Sequence, residues 1–284
     1  MATHYLFCGI KENIMYCIDY TGPEVSKVLD QVDQIKIHED RLLDDTLEQF
    51  FEKYQDKHIY ISINTDLEKE KIEILRKLKK YDNWTLQFSI YAVHEEERFT
   101  ALKEVCNRFM FINGADSWES LDLMISYGVS EVYISGYLGF CLEKVKRVCV
   151  KNGVKIRTYT NLAQIEFSTL PGHDGLKKFF IRPEDIWVYS KYIDVFEFAG
   201  NAKQQVVLLK IYQRGYWFGN LNELIIDLNE DVDSRKLPQE FGELRYNCGK
   251  RCISGGFCTA CRTVREFEKI MDKTGSFVKP HVGD

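Results

Sequence analysis

Apolar and charged positions alternate along this chain with two distinct periods. Asp44–Tyr54 and Leu67–Lys80 place apolar residues at helical spacing with charges on the opposite face, the pattern of amphipathic helices. Between and after them come short β-branched and aromatic runs: Ile35–His38, Ile59–Ile63, Thr85–Ile90, Phe109–Ile112, Glu131–Ile134, Lys155–Tyr159, Phe179–Arg182 and Asp194–Phe198. Strands that alternate with helices imply a parallel sheet. Eight such runs predict an α/β fold, a compact (β/α)8 TIM-like barrel, possible distortion included, although such barrels usually need ~250 residues. A doubly wound open sheet is the alternative. It is weakened because no glycine-rich dinucleotide fingerprint follows an early strand.

Other segments modify this plan. Tyr5–Ile10 and Ile14–Tyr20 flank Lys11-Glu12-Asn13 and read as an N-terminal hairpin capping the bottom of the barrel. Ser168–Lys178, with Pro171, Gly172 and Gly175, reads as a loop where one βα unit is degraded. Residues 203–229 read as a final helix and 230–240 as a polar linker. The expected division is therefore a barrel domain over 1–229 and a cysteine-rich appendage over 230–284, ending in a helix over Val264–Lys273.

Composition narrows the class. In 284 residues, 45% are hydrophobic and 29% charged, values of a folded protein with a substantial core. The net charge of -5 argues against nucleic-acid binding by the whole surface, while leaving room for a local basic patch. Met1–Cys8 lacks the basic-then-apolar order of a secretory signal, and no run is long enough for a membrane span, so a cytoplasmic location without membrane contact is expected. Nine cysteines in such a chain favour metal binding over disulfides. Cys8, Cys17, Cys106, Cys141 and Cys149 lie in apolar segments and read as buried small hydrophobes.

The other four cysteines are the densest chemical signal. Cys248, Cys252, Cys258 and Cys261 follow C-x3-C-x5-C-x2-C, with Gly249, Gly255 and Gly256 between them to relieve strain as the thiolates turn inward. Structural zinc sites usually separate two ligand pairs by ~12–20 residues. The tighter spacing here favours an iron–sulfur cluster, 4Fe-4S, with zinc as the alternative. Arg245, Lys250, Arg251, Arg262 and Arg265 surround the cluster with no acidic residue between them; they offset the negative charge of either metal site and also offer a contact for RNA. The radical-SAM spacing C-x3-C-x2-C is absent, as are Walker, Gly-x-Ser-x-Gly and His-Glu-x-x-His motifs.

In a barrel, chemistry collects at the C-terminal ends of the strands. Those positions carry His38, Glu39, Asn64, Asp66, Tyr91, Asn113, Ser135, Tyr137, Thr160, Asn161, Arg182 and Glu197. His38 and Glu39 are the acid/base candidates, with Glu197 a further carboxylate. Asn64, Asn113, Asn161 and Arg182 are candidates for positioning substrate.

Asn113-Gly-Ala-Asp-Ser-Trp-Glu-Ser-Leu through Tyr127-Gly-Val-Ser-Glu-Val-Tyr-Ile-Ser135, Arg182-Pro-Glu-Asp-Ile186 with Tyr192–Gly200, and Gly256-Phe-Cys258-Thr-Ala-Cys261-Arg262 together resemble segments of the U32 "peptidase" family. Its Lys-Ile-Glu-Gly-Arg element is represented here by Glu197-Phe-Ala-Gly-Asn201, and all four clustered cysteines follow that element rather than precede it. The resemblance implies an iron–sulfur (β/α) barrel that assists oxidative modification, hydroxylation, of an RNA base or a small aromatic substrate. Two alternatives stand beside it. One is a non-catalytic RNA- or protein-binding barrel with a structural zinc knuckle; the other is a hydrolytic barrel using the carboxylates at its mouth.

Overall fold

The computed structural model describes residues 14–63, 68–135, 138–139, 141–166, 178–228, 231–237 and 242. Ten strands lie among them: β1 Met15–Asp19, β2 Gln34–His38, β3 His58–Ile63, β4 Trp84–Phe88, β5 Phe109–Phe111, β6 Glu131–Tyr133, β7 Lys155–Tyr159, β8 Gln164–Glu166, β9 Lys178–Phe179 and β10 Val195–Glu197. Eight of them form one sheet in the order β5-β4-β3-β2-β1-β10-β7-β6, with every adjacent pair parallel. The two edges then meet. Ser130 N–H donates to Phe109 O at 2.9 Å, and Ala115 bridges β6 through its N–H to Tyr133 O at 2.7 Å. The result is a nearly closed (β/α)8 barrel with helices outside, as the alternation of runs predicts.

Membership of the barrel differs from the sequence reading at two places. Ile14–Tyr20 is not half of a capping hairpin. Met15–Asp19 within it is a central barrel strand, paired with β2 on one side and β10 on the other. Its partner in the expected hairpin, Tyr5–Ile10, lies outside the described residues. Conversely, Phe179–Arg182 is not a barrel strand. Lys178–Phe179 pairs antiparallel with β8 as a side ribbon, and Phe180 and Ile181 are buried without joining the main sheet. Residues 203–229 are not one helix either. Asn201 caps Ala202–Arg214 through a capping box with Gln204, and Gly215, at φ 81°, ends it in the left-handed conformation that glycine adopts at least cost. The chain then turns back, and Ile226 makes backbone hydrogen bonds with Asn161 (2.7 Å) and Ala163 (2.8 Å) just beyond β7.

The barrel has two interiors because successive side chains on a strand face opposite ways. Ile35 and Ile37, Ile59, Ile61 and Ile63, Leu86 and Phe88, Phe109 and Phe111, and Phe196 point outward into one continuous core beneath the helices. Inside the barrel, Cys17, Tyr60, Met110, Tyr133 and Val195 form a separate small cluster. Met15 and Tyr159 pack against it, and Gln34, Lys36, Ser62, Thr85, Gln87, Glu131, Arg157 and Glu197 add buried polar or charged groups on the same inward face. Barrels of this type usually fill the lumen with branched aliphatic side chains. This one fills it with an ion-pair network.

Close packing outside the barrel yields a direct expectation. A Cβ added at Gly139 would sit 2.6 Å from the ring of Phe179, which is itself buried against Tyr189. Gly139→Ala is expected to cost about 1–3 kcal/mol by overpacking, read as a lower urea midpoint with unchanged m-value.

Candidate active site

The lumen network is built around two cations and three carboxylates. Lys36, on β2, places its ammonium 2.5 Å from Glu197 Oε1 and 3.0 Å from Asp19 Oδ1, and donates to the Tyr159 hydroxyl at 3.4 Å. Arg157, on β7, lies 3.3 Å from Glu197 Oε2 and 3.6 Å from Glu131 Oε2, and donates to Gln34 Oε1 at 3.2 Å. Tyr133 donates to Glu197 Oε2 at 2.5 Å, and Tyr60 to Glu131 Oε1 at 2.7 Å. The Arg157 guanidinium also rests 4.0 Å from the Tyr60 ring centre.

Burial opposes the charges of Lys36, Arg157 and Glu197, so their partners decide the protonation states. Burial pulls the Lys36 ammonium down, but Glu197, then Tyr159 and Asp19, hold it well above the usual lysine range. Burial pushes the Glu197 carboxyl up, and Lys36 and Arg157 overcome it, so Glu197 stays ionised. The Cys17 thiol is pushed up, first by burial and then by Glu197; it stays protonated and is no nucleophile. Lys36 is equally unsuited to attack a carbonyl, because an ammonium this strongly paired has no lone pair to offer.

The network reaches the surface through Asp19. This residue ends β1, and its second oxygen, Oδ2, lies 3.9 Å from His38 Nε2 at the end of β2. The Asp19 carboxylate raises the His38 pKa above its ordinary value against partial burial and the Lys36 ammonium, and Asp40 adds to the rise. His38 is about one-third exposed and opens, with Glu39, into a cleft lined by Tyr20–Pro23 from the first strand's loop and His38–Arg41 from the second's. Arg41 at its rim is paired with Asp44 at 3.0 Å and covers the Tyr20 ring.

Other sequence candidates have different surroundings. Glu197 is fully buried below the mouth and reaches the cleft only through Lys36 and Asp19. Asn113 accepts from the Ile90 N–H (2.9 Å) and the Ser89 hydroxyl (3.3 Å), tying the loops after β4 and β5 together. Asn161 exchanges two hydrogen bonds with the Ala199 backbone and locks the loops after β7 and β10. Arg182 is 2% exposed and grips Asp185 through two hydrogen bonds of 2.6 and 2.7 Å. Asn64, Asp66 and Tyr137 lie outside the described residues, as do Cys248, Cys252, Cys258 and Cys261. Among the described residues no group of three or more histidine, cysteine or carboxylate side chains is placed to hold a metal ion. Cys17, Cys106, Cys141 and Cys149 are buried thiols, as their apolar settings predict.

Asp19 and Lys36 are the site residues that sequence reasoning misses. The signal for Lys36 is present in Gln34-Ile-Lys-Ile-His38, where every second position is polar and the intervening ones are isoleucine. That pattern marks a strand with two different faces, and only the closure of the barrel makes the polar face an interior.

No protein-family model and no curated protein matches the chain. Solved structures with related folds include N-acetylneuraminate lyase from Fusobacterium nucleatum, 11% identical with a TM-score of 0.39 over 91% of this chain and 98% of that one. Tryptophan synthase from M. tuberculosis is 11% identical, with a TM-score of 0.44 over 84% and 94%. For 3-keto-L-gulonate-6-phosphate decarboxylase from Vibrio cholerae the values are 13%, 0.40, 72% and 99%. By its own strand order the protein is a (β/α)8 barrel with a polar lumen. Among the described residues, no helix is long and apolar enough to cross a membrane.

Proposed function

We propose that this chain is a (β/α)8-barrel enzyme that transfers protons on a small polar substrate at the mouth above β1 and β2. The observation that carries this reading is the cleft into which His38 opens, with the Asp19 carboxylate facing its ring nitrogen. A histidine whose charged form a neighbouring carboxylate favours serves as a general acid, and after giving up its proton it is the matching base. Glu39 lines the same cleft beside it.

The iron–sulfur reading belongs to the same proposal. Four closely spaced thiolates with intervening glycines suit a 4Fe-4S cluster, which would be held by Cys248, Cys252, Cys258 and Cys261. Such a cluster would supply electron transfer when bound, one part of a hydroxylation of an RNA base or a small aromatic substrate, whose oxygen atom must come from a separate oxygen-atom donor. The four-thiolate set, which leaves no open position on zinc, favours the second reading of a structural zinc knuckle on an RNA- or protein-binding barrel.

Two measurements test these parts separately. Protein purified anaerobically is expected to contain iron and acid-labile sulfide near four per chain; one zinc and no colour would replace the cluster with a structural clamp. A panel of small polar metabolites screened by ligand-observed NMR is expected to yield binders whose affinity falls at least tenfold in His38→Gln. Binders indifferent to that change would remove the mouth from the reaction.

A further inference from the structure

The His38 site does not end at Asp19. One carboxylate is shared between two cations, with Oδ1 on the Lys36 ammonium and Oδ2 toward the His38 imidazole. The Lys36 ammonium is in turn shared with Glu197, whose other oxygen is held by Arg157 and by the Tyr133 hydroxyl. The chain of contacts runs unbroken from a fully sealed carboxylate to a solvent-facing imidazole. Its members alternate in charge: Arg157, Glu197, Lys36, Asp19, His38.

We propose that Lys36 and Glu197 are positioning residues for the acid/base at the mouth: Glu197 draws the Lys36 ammonium away from Asp19, and the Asp19 charge left over sets the protonation of His38. This rests on the reading of His38 as the acid/base of the cleft, and it adds to that reading the residues that tune it.

The physical basis is competition for one carboxylate. A cation 3.0 Å from Asp19 and 6% exposed neutralises it far more effectively than the same cation would in water. Were Lys36 bound to Asp19 alone, His38 would face a nearly compensated carboxylate and titrate in the ordinary imidazole range. Glu197 lies closer to Lys36, at 2.5 Å against 3.0 Å, and it cannot turn elsewhere because Arg157 and Tyr133 hold its second oxygen. Asp19 is fixed in its turn, since its own N–H donates to the buried Gln205 side chain at 2.8 Å. The other charged groups around His38 are Glu39, Asp40 and Arg41 on the following turn, and Arg41 is occupied by Asp44. On the neighbouring strand β3, the residue in register with His38 is the neutral Ser62. Removing the Lys36 charge therefore leaves Asp19 to His38, with no other cation among the described residues positioned to compensate.

The variants give opposite signs, which loss of packing alone does not produce. His38 is titrated in the ligand-free protein by NMR of its ring carbons, so the result stands apart from any outcome of the metabolite screen. Lys36→Met is expected to raise the His38 midpoint above wild type. Glu197→Gln, which returns the ammonium to Asp19, is expected to lower it. Lys36→Arg keeps the charge and is expected to stay near wild type. Leaving Glu197 without Lys36 strains the lumen, so the charge-balanced Lys36→Met/Glu197→Gln protein is titrated as well; it too is expected to show a raised midpoint, for lack of the ammonium. A His38 midpoint at or below wild type in folded Lys36→Met or in the double variant overturns the proposal. So does a shift of the same sign in Lys36→Met and Glu197→Gln.

Discussion

Arg157→Met is expected to destabilise the protein by about 4 kcal/mol, the largest loss for any single substitution in the lumen. Arg157 is fully buried and lies between two carboxylates, Glu197 at 3.3 Å and Glu131 at 3.6 Å. Methionine fills most of the volume but leaves both acids facing each other, with Lys36 as the one remaining cation inside the barrel wall among the described residues. An uncompensated buried charge costs far more than the pair contributed, because its desolvation is no longer offset. Glu131 would feel the change most, since Glu197 keeps Lys36 while Glu131 keeps the Tyr60 hydroxyl but no cation. The double variant Arg157→Met/Glu131→Gln is therefore expected to recover most of the loss. Urea unfolding at neutral pH measures both, and a cost below about 1 kcal/mol for the single variant would mean that water reaches the lumen and solvates the acids.

That network also explains which parts of the molecule can be read from the chain. β2 and β3 are legible because isoleucines at every second position mark a face that packs under helices, Ile35 and Ile37, Ile59 and Ile61, and in β7 Ile156 takes the same outward place. β1 escapes the sequence reading because its crossover is so short. The helix over Pro23–Ser26 has a single turn, and Lys11-Glu12-Asn13 makes the more conspicuous boundary. With β1 left out of the barrel, Asp19 cannot be placed beside His38, although both sit at strand ends in the folded protein. Phe179–Arg182 misleads in the opposite direction. Its apolar run is buried against Tyr189 and Tyr212, so hydrophobicity signals a core position without signalling a place in the sheet. Charged residues within strands, Lys36 and Arg157 above all, read locally as solvent-facing. Closure of the sheet, a long-range property, turns that face inward. Asn113 and Asn161 stand out as polar strand ends, and their hydrogen bonds show a different use for such residues: binding adjacent loops so that the mouth keeps its shape.

Acid is expected to weaken this protein through a histidine at the other end of the barrel. His58 opens β3, with its ring 2.8 Å from the Thr85 hydroxyl and packed near Tyr60. Burial, followed by the positive fields of Lys155, Arg108 and Arg157, lowers its pKa from 6.5 to about 3. The folded protein therefore keeps His58 neutral at pH values where the unfolded chain has already taken up a proton. Full stability holds above about pH 6.5, is lost progressively as pH falls toward 3, and changes no further below that from this group. By pH 4 the loss amounts to about 3 kcal/mol, at 1.36 kcal/mol per unit of separation. His58→Gln keeps a hydrogen-bonding group opposite Thr85 but cannot titrate. Its stability relative to wild type is expected to improve by that amount between pH 7 and pH 4 in urea unfolding series. Parallel decline of the two proteins would place the acid sensitivity in the carboxylates of the lumen instead. His38 behaves in the opposite sense, because its neighbour is a carboxylate rather than a set of cations. The same barrel thus favours the neutral form of one histidine at its base and the charged form of the other at its mouth, and the second opens into a cleft where a proton could be passed to a substrate.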